Sequence, residues 1–190
     1  MGVAIVSPFP LAHADFLFRW LKQQPQWNFD DHSFIHAEEN VRSCLYKRVS
    51  NGEITWEATS DGQPVGFIGA NAINHHVATL RGICFDECVH GTGIPRTAML
   101  MALDVLFEFS TIHRVEATYF SDNARVRRFL RKFGFRIEGT LRQRAIRDGH
   151  SLDMEIVGLL ADDFQNCRER LRQSLGEAHL DASEAVPTSA

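Results

Sequence analysis

The chain has no apolar run long enough to span a membrane, and its first residues, MGVAIVSPFP, lack the charged flank and long apolar stretch of an export signal. Val6 also stands where a myristoylation pattern needs Ser or Thr. Four cysteines, Cys44, Cys84, Cys88 and Cys167, make no C-x-x-C pair, and 190 residues need no disulfide staples, so reduced, cytoplasmic thiols are expected. An excess of positive charge is missing too: 20 Lys and Arg against 24 Asp and Glu leave a net charge of -4, which argues against a general nucleic-acid binder. Only the stretch 125–147 is locally rich in arginine. Internal repeats and linker-like segments are absent. What is there, 44% hydrophobic residues, suits one globular domain over residues 1–175, and the small, polar composition from 176 to 190 predicts a flexible tail.

The hydrophobic periodicities alternate between two kinds. Residues 3–6 predict a short strand, and two helical patterns follow, LAHADFLFRWLKQQ (11–24) and HAEENVRSCLYKRV (36–49). EITWEAT, PVGFIGANAI and VATLRGICFDE are β-rich runs separated by tight turns and predict an antiparallel meander. Then come a helix in TAMLMALDVLFEF, with Leu100, Leu103, Val105, Leu106 and Phe109 inward, a strand in RVEATYF, and a helix in NARVRRFLRKF stopped by Gly134. FRIEGTLRQRAI and SLDMEIVGLL flank an Asp148-Gly149 turn, and DDFQNCRERLRQSL closes the order with a helix.

The segment DECVHGTGIPRTAML (86–100) places Gly91, Gly93 and Pro95 between a strand and a helix. Glycines there let successive backbone N–H groups face outward, and the positive end of the helix dipole lies behind them, so the loop is an anion site in the making. Because it follows the last strand of a meander rather than the first strand of a βαβ unit, a dinucleotide fold is disfavoured. His32 and His36 have the spacing of a helical metal pair but no third ligand, so no metal is expected.

Taken together, HGTGIP (90–95), HRVEA (113–117), Asn123, Gly134-Phe135, Glu138-Gly139, Leu141-Arg142, Asp148-Gly149 and Asp153 resemble, in order and spacing, the GNAT superfamily of acyl-CoA-dependent N-acyltransferases, and within it the ribosomal-protein N-terminal acetyltransferase branch. The resemblance covers nearly the whole chain. It implies an α/β (α+β) fold with a mixed, mostly antiparallel sheet of about seven strands, flanking helices, and a cleft between two splayed strands. It further implies an acyl-CoA donor, with acetyl-CoA first, its pantetheine along Ile83, Cys84 and Phe85 and its pyrophosphate on Gly91, Thr92, Gly93, Ile94, Pro95 and Arg96. Asn123 is where such proteins contact the cofactor, although an asparagine opening a helix is also a favoured N-cap. The implied acceptor is a primary amine on a peptide or small molecule; a homodimer is left open.

This sequence departs from the pattern where proton transfer is usually handled. The branch's helix serine corresponds to Val126 and its glutamate to Ala145; in related branches a tyrosine corresponds to Leu130 and a strand glutamate to Thr118. None of these titrates near neutral pH. Glu116 and Glu138 are the candidate substitutes, with Asp86, His75 and His76 bordering the same cleft; each also has a structural reading, Glu116 as an arginine partner and the histidines as a hairpin tip. The arginines of NARVRRFLRKF suit either a cofactor phosphate, an acidic substrate or a solvated face. Pro95 suits the first helical turn but removes one N–H that would otherwise face an anion, which a side-chain donor from Arg96 or Thr97 would offset. Three readings follow: an N-acyltransferase working by proximity, a binding or scaffold protein that keeps the fold, and an enzyme with a different acyl donor.

Overall fold

A computed structural model describes residues 2–23, 38–74, 76–108, 111–147, 149–175 and 180–181. His32, His36, His75, Phe109 and Asp148 lie outside the described residues. One sheet runs through the molecule in the order β6-β7-β5-β4-β3-β2-β1-β8. Its strands are β1 (Val3–Val6), β2 (Ile54–Ser60), β3 (Gln63–Asn74), β4 (Val77–Phe85), β5 (Arg114–Phe120), β6 (Arg136–Arg147), β7 (His150–Leu160) and the two-residue β8 (Leu180–Asp181). The helices are α1 (Ala14–Gln23), α2 (Glu38–Ser50), α3 (Ile94–Glu108), α4 (Ala124–Lys132) and α5 (Ala161–Leu175). All pairings are antiparallel except β4 with β5 and β1 with β8. The sequence does not signal β8: it falls within the stretch expected to be a tail.

Strand alternation divides the core in two. On one face, Trp56, Ile68, Val115, Ala117, Tyr119, Val157 and Leu159 bury against Met99, Leu103 and Leu106 of α3, Leu130 of α4 and Phe164 of α5. On the other, Phe67 and Cys84 pack under Leu17 and Trp20 of α1 and Val41 and Leu45 of α2. The helix pattern expected at Leu100, Leu103, Val105 and Leu106 is buried as anticipated. A smaller apolar cluster, Phe120, Ala145 and Met154, occupies the second face near the end of β5.

Two irregularities shape the β6–β7 hairpin. Glu138 is an extra residue opposite β7, between the pairs Ile137–Val157 and Gly139–Ile156. Farther on, residues 142–144 bulge opposite Asp153, whose Oδ1 accepts from the backbone N–H of Gln143 at 2.7 Å. Gln143 takes φ 49° to do so, a conformation a non-glycine residue adopts only when held there.

Candidate active site

β4 and β5 pair only through Val77–Arg114, Ala78–Val115 and Thr79–Glu116. Beyond Thr79, β4 stays with β3, with Ile83 opposite Ile68, Cys84 opposite Phe67 and Phe85 opposite Gly66. β5 meanwhile stays with β7 through Phe120 opposite Met154. Arg81 is the extra residue of a bulge against β3, which bends β4 where the two arms part. The arms therefore present edges whose backbone groups have no partner in each other. The Phe85 ring fills the space above Gly66: a Cβ there would lie 2.1 Å from it. Burial, then the neighbouring Asp86 carboxylate, pushes the Cys84 thiol far up, so Cys84 remains protonated.

Directly after β4, Asp86 caps the 3-10 turn Glu87–Val89, accepting from the N–H of Cys88 at 2.9 Å and from Trp20 Nε1 at 3.0 Å. The chain then passes Gly91 at φ 83° and Gly93 at φ 98°, conformations that exclude most side chains, and enters α3 at Ile94. Within the loop, Thr92 N–H donates to Val89 O, Ile94 N–H to Thr92 Oγ1, and the N–H groups of Arg96 and Thr97 both to Gly93 O. Among the described residues, the N–H groups of Gly91 and Gly93 donate to no protein acceptor. Pro95 is the second residue of α3, where its missing N–H breaks no helical bond. The Arg96 guanidinium lies 3.7 Å from where a Gly93 Cβ would stand, so a side-chain cation covers the loop beside the proline.

α4 forms the opposite wall. Asn123 caps it through Oδ1, which accepts from Val126 N–H at 3.1 Å, and its amide NH2 has no acceptor among the described residues. Arg125, in the first turn, acts electrostatically on His90 in the glycine loop. Burial first, then Arg125, holds the His90 imidazole below its ordinary pKa. His90 Nε2 lies 3.2 Å from Phe85 O, and since a carbonyl only accepts, Nε2 carries the proton. This bond ties the loop to the end of β4.

Glu116 and Glu138 share one guanidinium. Arg114 Nε donates to Glu116 Oε1 at 2.8 Å, while its two terminal nitrogens bond both oxygens of Glu138, one at 2.8 Å. The Arg114 contact lowers the Glu138 pKa and the two carboxylates raise that of Arg114. The pair lies over Gly158, where a Cβ would approach Glu138 and Arg114 to 2.4 and 2.6 Å. Glu116 is the last β5 residue paired to β4, at the root of the splay, and among the described residues its Oε2 bonds no protein group. Thr118 is exposed on the same face, Leu130 and Ala145 are buried in apolar clusters, and Val126 packs against the main core. His76 is exposed at the β3–β4 tip, next to His113.

Two groupings escape sequence reasoning. Glu155, almost fully buried on β7, accepts from the Tyr119 hydroxyl and takes two bonds from Arg127, Nε to Oε2 at 3.0 Å and Nη2 to Oε1 at 2.5 Å. Burial alone would raise its pKa, but the tyrosine hydroxyl and the guanidinium prevail and hold it below the usual glutamate range; burial and Glu155 push Tyr119 up to about 12. His13 Nδ1 meets the buried Glu57 at 2.5 Å under the start of α1. A charge inside an apolar strand pattern, as at Glu155 and Glu57, is the only sequence signal of either. Among the described residues no group of three or more His, Cys, Asp or Glu is placed to hold a metal, and no helix is long and apolar enough to cross a membrane.

A splayed parallel pair, a glycine loop at a helix start and a sheet of mostly antiparallel strands make up the mixed α/β architecture that the family resemblance implied. The family model for the acetyltransferase (GNAT) family matches residues 14–135, and the chain belongs to that family. Among its relatives is the L-amino acid N-acetyltransferase AaaT of Escherichia coli (strain K12), 32% identical over 100 residues, which are 50% of this chain and 61% of that protein. The match thus spans under two thirds of that relative's length. The fold is similar to that of ribosomal-protein-alanine N-acetyltransferase from Brucella melitensis, with TM-score 0.68, 21% identity, and coverage of 80% of this chain and 96% of that one. It is similar also to spermidine N-acetyltransferase from Vibrio cholerae in complex with CoA and spermine, with TM-score 0.74, 18% identity, and coverage of 86% and 98%.

Proposed function

We propose that this chain transfers an acyl group, acetyl first, from CoA to the primary amine of a peptide N-terminus or a small molecule. The observation that carries the reading is the parting of β4 and β5 after Thr79 and Glu116, with the glycine loop leading from the β4 arm straight into α3. In this reading the pantetheine lies along Ile83, Cys84 and Phe85 and adds the missing partner to the β4 edge. The pyrophosphate takes the N–H groups of Gly91 and Gly93, with Thr92, Ile94, Pro95 and Arg96 shaping the seat and Arg96 supplying the charge that Pro95 cannot. The Asn123 amide reaches the donor from the other wall. Relatives and fold neighbours named for acetylating amino acids, spermidine and ribosomal protein support the amine acceptor without selecting one.

The chemistry rests on proximity. The amine lone pair attacks the thioester carbonyl, the C–S bond breaks with its electron pair going to sulfur, and the ammonium proton leaves through water. Orientation alone supplies several kcal/mol when both reactants are held in line. Glu116, with one oxygen unbonded among the described residues at the root of the splay, attracts the acceptor ammonium; Glu138, with both oxygens on Arg114, serves to hold that arginine. Without a tuned base, kcat/KM rises with pH until the acceptor's own pKa, about 8 for an α-amine and about 10 for a lysine-like amine. A bell-shaped profile whose lower limb vanishes in Glu116→Gln would instead make Glu116 the base.

A second reading is a GNAT-fold binding protein without turnover, favoured by Val126, Leu130 and Ala145 at apolar contacts and by the ion pairing of both glutamates. Thiol release from acetyl-CoA against a panel of peptides, amino acids and polyamines separates the two. Release with any acceptor supports transfer; CoA binding with no release across the panel supports the binding protein.

A further inference from the structure

The arm of β5 beyond Glu116 has lost β4 as a neighbour, and something must fix its angle and that of the helix it leads into. Three side chains from three elements converge there: Tyr119 on the arm itself, Glu155 opposite it on β7, and Arg127 one turn into α4. Arg127 spends Nε and Nη2 on Glu155 and donates Nη2 also to the carbonyl of Ser121, in the turn between β5 and α4, at 2.7 Å. Its backbone N–H donates to the carbonyl of Asn123 at 3.1 Å, so the residue tied to β7 lies directly behind the helix cap. The same first turn carries Arg125, whose charge acts on His90 of the glycine loop.

From this geometry we infer that Glu155 is a positioning residue for the donor site: through Tyr119 and Arg127 it sets the β5 arm and the first turn of α4, and so fixes the width of the cleft between Asn123 and the Gly91–Gly93 loop. No atom of Glu155 need touch the donor. Its two partners explain why a carboxylate stands in the apolar β7 pattern and why α4 carries a half-buried arginine among exposed ones. The inference rests on the donor site assigned under Proposed function. It goes further by making cleft width depend on one polar junction remote from the glycine loop.

The test is CoA titration by calorimetry with four proteins: unmodified chain, Arg127→Met, Glu155→Gln and the double variant, each with its thermal midpoint measured. Glu155→Gln keeps the side-chain shape, and Tyr119→Phe, removing one hydroxyl, provides a milder variant should the others fold poorly. The expected result is a loss of roughly tenfold in CoA affinity for each single variant, a double variant no worse than the weaker single, and partial rescue by Arg127→Lys. In turnover the KM for the donor should rise while that for the acceptor stays level. Lower thermal midpoints with unchanged CoA affinity, or single effects that multiply in the double variant, would overturn the inference and leave the function standing. Absence of CoA binding by the unmodified chain would overturn the function itself.

Discussion

At the residue scale, two glycines show how the same missing Cβ matters differently. At Gly66 a Cβ would meet the Phe85 ring at 2.1 Å and the Cys84 carbonyl at 3.0 Å, and Phe85 is fixed in the core. At Gly158 it would meet only the outer ends of Glu138 and Arg114, and Glu138 is 41% exposed. Gly66→Ala is therefore expected to cost about 1–3 kcal/mol through overpacking, and Gly158→Ala under about 1 kcal/mol through a displaced surface ion pair. Urea denaturation of the two variants checks this; equal losses would mean the Phe85 ring can turn aside. Arg96 gives a second prediction. If its guanidinium stands in for the N–H that Pro95 lacks, Arg96→Ala should weaken CoA binding by roughly 1.5–3 kcal/mol, and by much less in a Pro95→Gly background. Additive effects in that cycle would remove the compensation. The Glu116–Arg114 pair was readable from the sequence, because residues two apart on a strand share a face. The Glu138 contact was not, because the bulge at that residue changes which way its side chain points.

At the element scale, α4 depends on a junction that titrates. The Glu155 pKa is depressed in the folded chain, so the unfolded chain binds the proton more readily. The stabilisation is therefore complete above the unfolded glutamate pKa of about 4.3 and is lost as pH falls below it towards the folded value. Urea midpoints followed down through that window should decline less steeply in Glu155→Gln than in the unmodified chain; parallel declines would show that other carboxylates set the acid limb. The order of strands and helices was legible from periodicity and turn residues, since each element has one face against a continuous core. The junction was not, because Tyr119, Arg127 and Glu155 belong to three elements whose adjacency depends on β5 pairing with β7 across a helix and a hairpin. The β8 pairing escaped for another reason: a two-residue strand has no period to read.

On the scale of the whole molecule, a chain of net charge -4 still sets two cations about the glycine loop, Arg96 beside Gly93 and Arg125 close enough to act on His90. If these meet the donor's phosphates, CoA affinity should fall as salt rises, because the exposed charges are screened within a Debye length of about 10 Å at 0.1 M. A salt-independent affinity would place the phosphates elsewhere. The splay of β4 from β5 could be anticipated only through the family resemblance, since no periodicity announces where two strands part. The most direct test of the account is a calorimetric titration of acetyl-CoA into the unmodified chain and into Gly93→Asp, which sets a carboxylate and a Cβ in the seat assigned to the pyrophosphate. The account predicts saturable binding to the first and none measurable to the second, with both folded; failure of the unmodified chain to bind, or equal binding by the two, would contradict it.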